Sequence, residues 1–157
     1  MIIDVAVAST SRYKKFGPVS HPDEAHDLSG KVILEKIQEA GQDARYSLLP
    51  DGFGLRSFAE KSDADVVVIC GGTGLTHQDL TIEAIEPLFE KTLPGFGEIF
   101  RYKSLSEVGT RAMLTRAAAG VYHGRPIFCL PGSPGAASLG MDLILAELNH
   151  IIGHIRE

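Results

Sequence analysis

Residues Ala64–Gly74 read ADVVVICGGTG, an apolar run that feeds directly into three glycines. Val66, Val67, Val68 and Ile69 are β-branched, which favours an extended chain. Unbroken apolarity rather than alternation predicts a strand buried on both faces, as in a parallel sheet covered by helices. Two more runs of this kind lie far away in sequence: IIDVAVA (Ile2 to Ala8) and PIFCL (Pro126 to Leu130). ARYSLLP, ending at Pro50, is a further strand candidate.

Helical patterns fill the intervals. In HPDEAHDLSGKVILEKIQEAG, Val32, Ile33, Ile37 and Ala40 recur at helical spacing and Gly41 is a natural stop. Residues 53–62 place Leu55, Phe58 and Ala59 on one side of a short helix. A helix near 81–91, bent by Pro87, precedes an irregular LPGFG, and EIFRYKSL and TRAMLTRAAAG read as further helices. STSRYKKFGPVS reads as a loop. The chain closes on a long amphipathic helix, with Ser133 as its cap and Pro134 as its first residue. Strands alternating with helices predict a three-layer α/β/α architecture around a mostly parallel sheet. No repeat or linker divides residues 1–157, so one domain is expected.

Composition narrows the function. A chain of 157 residues buries ~70% of its unfolded surface and needs no disulfide or metal staple. Its net charge of −5 argues against a general nucleic-acid binder, while leaving room for a local basic pocket. Cys70 and Cys129 each sit in or at the end of an apolar run, as buried thiols of a reducing compartment do; a redox pair is the alternative. The N-terminus lacks the basic region and cleavage pattern of a signal peptide, and no stretch approaches the ~20 apolar residues of a membrane span. Cytoplasm is the expected compartment, with no membrane partner.

In a parallel sheet, ligands bind beyond the carboxyl ends of the strands. Three such ends carry informative residues: Pro50-Asp51-Gly52, Gly71-Gly72-Thr73-Gly74, and Pro131-Gly132-Ser133-Pro134. Exposed N–H groups in a glycine loop can hold a phosphate, though glycines after a strand also serve as plain turns. The loop lacks the GKS/GKT ending of a P-loop and the GxGxxG dinucleotide pattern. Asp79 and Asp51 each have two readings, a local turn or cap residue and an oxygen ligand for Mg²⁺ on a bound polyphosphate. Ser133 can cap its helix and face an anion at once. Arg12, Lys14 and Lys15 follow the first strand as a solvated charge run or as receivers of an anionic substrate. His77 could reach a ligand phosphate. His150 and His154 share a helix face without the glutamate of an HExxH site and read as solvated.

GGTGLTHQDLTIEAIEPLFEKTLPGFGEIFR (Gly71 to Arg101) and the later PGSPGA resemble the signatures of the MoaB/MogA family of molybdenum-cofactor biosynthesis. DLSG (Asp27 to Gly30), LLPD (Leu48 to Asp51) and SLSEVGTRAMLTRAAAGV (Ser104 to Val121) extend the likeness over nearly the whole chain, closer to MoaB than to MogA. The resemblance implies the molybdopterin-binding fold shared with the G domains of gephyrin. It implies an adenylyltransferase that converts molybdopterin and Mg-ATP to adenylyl-molybdopterin and pyrophosphate. Asp51 and Asp79 would then serve catalysis and hold Mg²⁺; Gly71, Gly72, Thr73 and Gly74 would bind substrate phosphates. Gly132 and Ser133 would belong to the molybdopterin side, and Glu98 of PGFGE would match another pocket residue of the family. A homo-oligomer, trimer or hexamer, and a transient contact with the molybdenum-insertion protein are implied as well. The alternatives are a non-catalytic molybdopterin-binding or scaffold protein and a CinA-like enzyme on the same fold. Two positions depart from the family: Ser9-Thr10-Ser11-Arg12 carries no acid where many relatives have Ser-Asp, and His77-Gln78 replaces a Pro-Arg or similar pair.

Overall fold

A computed structural model describes residues 1–157. Six strands form one sheet in the order β2-β1-β3-β6-β5-β4. They are β1 (Ile2–Ala8), β2 (Asp43–Leu49), β3 (Val66–Cys70), β4 (Lys91–Thr92), β5 (Ala118–Tyr122) and β6 (Arg125–Leu130). The pairs β1–β2, β1–β3 and β3–β6 are parallel, and β5–β6 and β4–β5 are antiparallel. The sheet is therefore mostly parallel, with an antiparallel edge.

Six helices cover it: α1 (Thr10–Phe16), α2 (Leu28–Glu39), α3 (Gly54–Lys61), α4 (Thr81–Ile85), α5 (Pro94–Val108) and α6 (Pro134–Arg156). The period-2 geometry of the strands divides the apolar residues between two cores. Val5, Val7, Val68, Cys70, Phe128 and Leu130 face Ile33 and Ile37 of α2, Phe100 of α5 and Met141 and Ile144 of α6. Ala6, Ala8, Val67, Ile69, Ile127 and Cys129 face Leu55 and Ala59 of α3 and Ile82 and Ile85 of α4. Three layers result. The same alternation rules out a redox pair, because Cys70 and Cys129 lie on opposite faces of the sheet. Burial pushes the Cys70 thiol up to about 12 and raises that of Cys129 too, so both stay protonated and inert.

The structure corrects four local expectations. The segment after β1 is helical, because the Ser9 side chain accepts from Arg12 N and Gly17, at φ +68°, stops the helix after about two turns. The expected helix over 21–41 is interrupted: Pro22–Ala25 forms a 3₁₀ turn, His26 takes φ +50°, and Asp27 caps α2 by accepting from Gly30 N. LPGFG is no loop. Pro94 opens α5, and Gly97 lets it lie against the chain where a Cβ would come within 2.6 Å of Ala117 O. The expected helix over TRAMLTRAAAG divides into a 3₁₀ turn, Gly109–Leu114, and strand β5. Gly120 in β5 receives the Phe89 ring where a side chain would otherwise stand, and His123-Gly124, both at positive φ, turns β5 into β6. The helix expected near 81–91 is α4 followed by a 3₁₀ turn at Glu86–Leu88, with Pro87 at its start. No helix is long and apolar enough to cross a membrane.

Candidate functional site

The sheet order places β1 and β3 side by side with β2 and β6 outside them, a switch point at which the connections leave in opposite directions. A cleft of about 650 Å³ opens beyond the carboxyl ends of β1, β3 and β6. Ser9, Gly71 to Gly74 and Pro131 to Ser133 form its base, and Arg12, Asp27, Asp79, Phe100, Ser104 and Arg111 lie around it.

Two strand-end loops meet in this base. A Cβ on Gly132 would lie 3.3 Å from Gly71 Cα. Ser29 of the DLSG turn fixes the second loop by donating to Gly132 O at 2.6 Å. Asp27, 3% exposed, caps α2 and accepts from the Tyr46 hydroxyl at 2.6 Å, so this turn is held at both ends. Ser133 caps α6 by accepting from Ala136 N at 3.2 Å while lining the cleft, so both roles read for it are compatible.

The glycine loop has an asymmetric hydrogen-bond inventory. Gly71 O accepts from the buried Thr81 hydroxyl at 2.7 Å and Gly72 O from Thr81 N at 3.0 Å. Thr73 O accepts from Arg116 Nε at 3.1 Å, and Gly74 O accepts from Arg116 Nη2 at 2.7 Å. All four carbonyls thus have protein donors. Gly71 N donates to Leu130 O, but the N–H groups of Gly72, Thr73 and Gly74 have no protein acceptor. Three free donors in consecutive residues, with the first two glycines at φ +101° and +68°, form a nest suited to an anion.

Asp51 and Asp79 flank this nest. A Cβ on Gly72 would sit 2.5 Å from Asp51 Oδ2, and one on Gly74 would sit 2.7 Å from Asp79 Oδ2. Asp51 Oδ1 accepts from Leu80 N at 3.1 Å, while Thr10 Oγ1 accepts from Asp51 N at 3.0 Å. Asp79 Oδ2 accepts from Thr76 N and the Thr76 hydroxyl, which leaves Oδ1 without a donor. Burial raises the Asp51 carboxyl above the usual range, Leu80 N opposes this, and the nearby Asp79 charge adds to it. Asp79 lines the cleft; Asp51 reaches the loop from the β2 side and does not.

Glu98 is not brought to this cleft. It is exposed and lines a separate depression with Arg101 and Arg116, because the PGFGE segment begins a helix that carries Glu98 to its outer side. His77 is exposed on the loop tip and lines no part of the cleft. His150 and His154 lie on the exposed face of α6. Of the basic residues after β1, Arg12 lines the cleft while Lys14 and Lys15 are exposed in the last turn of α1. Sequence reasoning gave no role to Arg111 or Arg116. Arg111 carries no local motif, and Arg116 acts on residues 33 to 43 positions away.

An anion nest at the switch point of a three-layer α/β sheet, flanked by two carboxylates, defines a small-molecule-binding protein of the doubly wound class. Residues 5–150 match the family model described as "probable molybdopterin binding domain". The chain is 44% identical over 156 residues to the molybdopterin adenylyltransferase of Pyrococcus furiosus, covering 91% of this chain and 92% of that one. The crystal structure of the tungsten cofactor synthesizing protein MoaB from the same organism superposes with a TM-score of 0.86 at 41% identity, covering 99% and 97%. A MogA structure superposes with a TM-score of 0.84 at 25% identity, covering 99% of both chains. The chain belongs to the MoaB/MogA molybdopterin-binding family of molybdenum-cofactor biosynthesis.

Proposed function

We propose that this chain is a molybdopterin adenylyltransferase that transfers AMP from Mg-ATP to molybdopterin and releases pyrophosphate. The observation that carries this reading is the Gly72–Gly74 nest of free N–H groups set between Asp51 and Asp79. In the reaction a terminal phosphate oxygen of molybdopterin forms a bond to the α-phosphorus of ATP. The bond from that phosphorus to the bridging oxygen breaks, and pyrophosphate leaves with its electron pair. A phosphate monoester is already an anionic nucleophile, so no side-chain nucleophile is required. The nest N–H groups hold phosphate oxygens, and Arg12 and Arg111 add positive charge without a carboxylate partner of their own. Positioning and charge neutralisation then supply most of the rate.

Asp51 and Asp79 fit Mg²⁺ brought in with the nucleotide. They supply hard oxygen donors, with Asp79 Oδ1 free of hydrogen bonds, and no third His, Cys, Asp or Glu joins them. That set is too small for a resident metal and suits an ion whose remaining ligands are phosphates and water. When bound, Mg²⁺ neutralises charge on the polyphosphate. Gly132 and Ser133, on the second loop of the cleft's base, take the molybdopterin side.

The chain works in the cytoplasm as a homo-oligomer, a trimer or a hexamer built from two trimers. Supporting this, Ile99, Tyr102, Leu105 and Val108 of α5 are 46–77% exposed, and Met113 and Leu114 follow at 76% and 52%. A transient contact with the molybdenum-insertion protein follows from the fate of the adenylylated product.

The deciding experiment incubates purified protein with molybdopterin, ATP and Mg²⁺ and measures adenylyl-molybdopterin. Wild type forms product, and Asp79→Ala loses at least about a hundredfold in rate with its melting temperature nearly unchanged. Molybdopterin binding without product from wild type would overturn the enzyme reading in favour of a scaffold.

A further inference from the structure

We propose that Arg116 is a positioning residue that braces the anion loop from behind and so keeps its N–H groups turned toward the ligand. The inference rests on the phosphate-binding role proposed above for Gly71–Gly74.

Arg116 lies between the 3₁₀ turn at Gly109–Leu114 and β5, outside the residues that line the cleft. Its guanidinium nevertheless reaches the second half of the loop. Nε donates to Thr73 O and Gly74 O, both at 3.1 Å. Nη2 donates to Gly74 O at 2.7 Å and to Asp79 O at 3.4 Å. Nη1 pairs with Glu83 of α4, and Nη2 also approaches Glu83 at 3.3 Å. The Arg116 hydrogen bond holds the Glu83 carboxyl below its ordinary value, so the pair stays ionised at neutral pH.

With its forks committed to carbonyls and to Glu83, Arg116 is not available to grip a phosphate. Its effect is on the peptide planes. Thr81 holds the carbonyls of Gly71 and Gly72, and Arg116 holds those of Thr73 and Gly74. A peptide plane whose carbonyl is pinned on one side presents its N–H on the other. Loss of Arg116 frees the planes that carry the Gly74 and Leu75 N–H groups, in a segment with low glycine barriers to rotation. It also releases the Asp79 carbonyl, and with it the orientation of a carboxylate that flanks the nest. Only a planar fork reaches all these acceptors together; an ammonium is a point charge on a flexible stem.

The test compares Arg116→Met, Arg116→Lys and Glu83→Gln with wild type by hydrogen exchange, thermal melting, ATP calorimetry and AMP-transfer kinetics. In Arg116→Met, exchange of the hydrogen-bonded amides of Thr76, Asp79 and Leu80 accelerates about tenfold while β1 and β3 are unchanged. ATP affinity falls about tenfold and kcat falls as well, whereas KM for molybdopterin moves little. Arg116→Lys keeps the charge and does not restore exchange protection, and Glu83→Gln gives an intermediate effect in the same segment. Unchanged exchange at Thr76, Asp79 and Leu80 would overturn the brace, as would full rescue by lysine. Should Arg116→Met fail to fold, the lysine and Glu83→Gln variants decide it by the same exchange readout. If wild type neither binds ATP nor transfers AMP, the proposed function fails, and local exchange still decides whether the brace exists.

Discussion

The two ends of the sheet treat charge in opposite ways. At the amino ends of the strands, Asp4 receives Arg45 through Nε at 2.5 Å and Nη2 at 3.0 Å, and the Ser62 hydroxyl at 2.5 Å. Arg45 also pairs with Asp63 at 2.6 Å, while Asp65 accepts from Ile2 N and pairs with Arg156. These partners hold Asp63 and Asp65 below the usual carboxylate range. At the carboxyl ends, burial and the neighbouring Asp79 raise Asp51, and three backbone N–H groups lack acceptors. One end is internally satisfied and contributes stability. The other is left electrostatically incomplete, and a phosphorylated ligand with its cation would complete it. Unmet donors and a perturbed carboxylate at the same rim therefore mark the site better than any single motif.

The largest expected effect comes from filling the incomplete end with carbon. Gly72 sits at φ +68°, and a Cβ there would meet the Thr81 hydroxyl and stand 2.5 Å from Asp51 Oδ2. Gly72→Val puts a β-branched residue into a left-handed conformation and displaces both groups. ATP and molybdopterin binding should drop by at least about a hundredfold, and stability should fall by roughly 1–3 kcal/mol. Calorimetry and denaturant melts read the two losses separately. Ligand affinity close to wild type would show that the loop is a plain turn and that the contrast between the two ends is structural only.

Much of this arrangement was legible in the sequence, and the parts that were not share a physical cause. β1, β3 and β6 announce themselves because burial on both faces demands continuous apolar runs. The glycine loop and Asp79 are readable because their geometry is local: Asp79 closes back on Thr76, three residues earlier. β5 was hidden because Ala118, Ala119 and Gly120 carry no strand signal. What makes them a strand is the space left for Phe89 and the pairing with β6 across 123–124. α1 was hidden for the opposite reason, since it buries no residue and depends on Ser9 and Gly17 rather than on periodicity. Arg116 and Arg111 reach the loop or cleft only through the tertiary fold. Glu98 was placed in the pocket by resemblance, and within one chain its helix turns it elsewhere.

A smaller effect separates function from stability at Asp51. Its folded pKa lies above the unfolded value of about 3.9, so the ionised form is the one that folding disfavours. Stability from this residue is fully present below about pH 4 and is lost as pH rises through the folded pKa. Asp51→Asn removes the charge while Oδ1 can still accept from Leu80 N. The variant should match wild type at about pH 3.5 and melt about 1–3 °C higher at pH 7, a modest gain because the carboxylate is partly solvated. Mg-ATP affinity should fall at the same time, with molybdopterin affinity retained. A melting difference that is equal at both pH values would show that Asp51 carries no electrostatic strain.

The smallest effect on activity belongs to the satisfied end, where the sign reverses. Asp65 has a folded pKa below its unfolded value, so its contribution is present above about pH 4 and disappears as pH falls through the folded value. Arg45→Met leaves Asp4, whose side chain is 9% exposed, with Ser62 as its remaining partner. That carboxylate then stands desolvated without its cation, which costs more than losing an exposed pair, although the half-exposed Arg45 limits the loss. The melting temperature should fall by roughly 5 °C at pH 7. AMP transfer below that temperature should be unchanged, because nothing in the Asp4–Arg45–Asp63 group touches the cleft. A stability loss that persisted undiminished at low pH, where Asp63 gives up its charge, would trace the effect to the packing of the Arg45 stem along β2 instead of its charge.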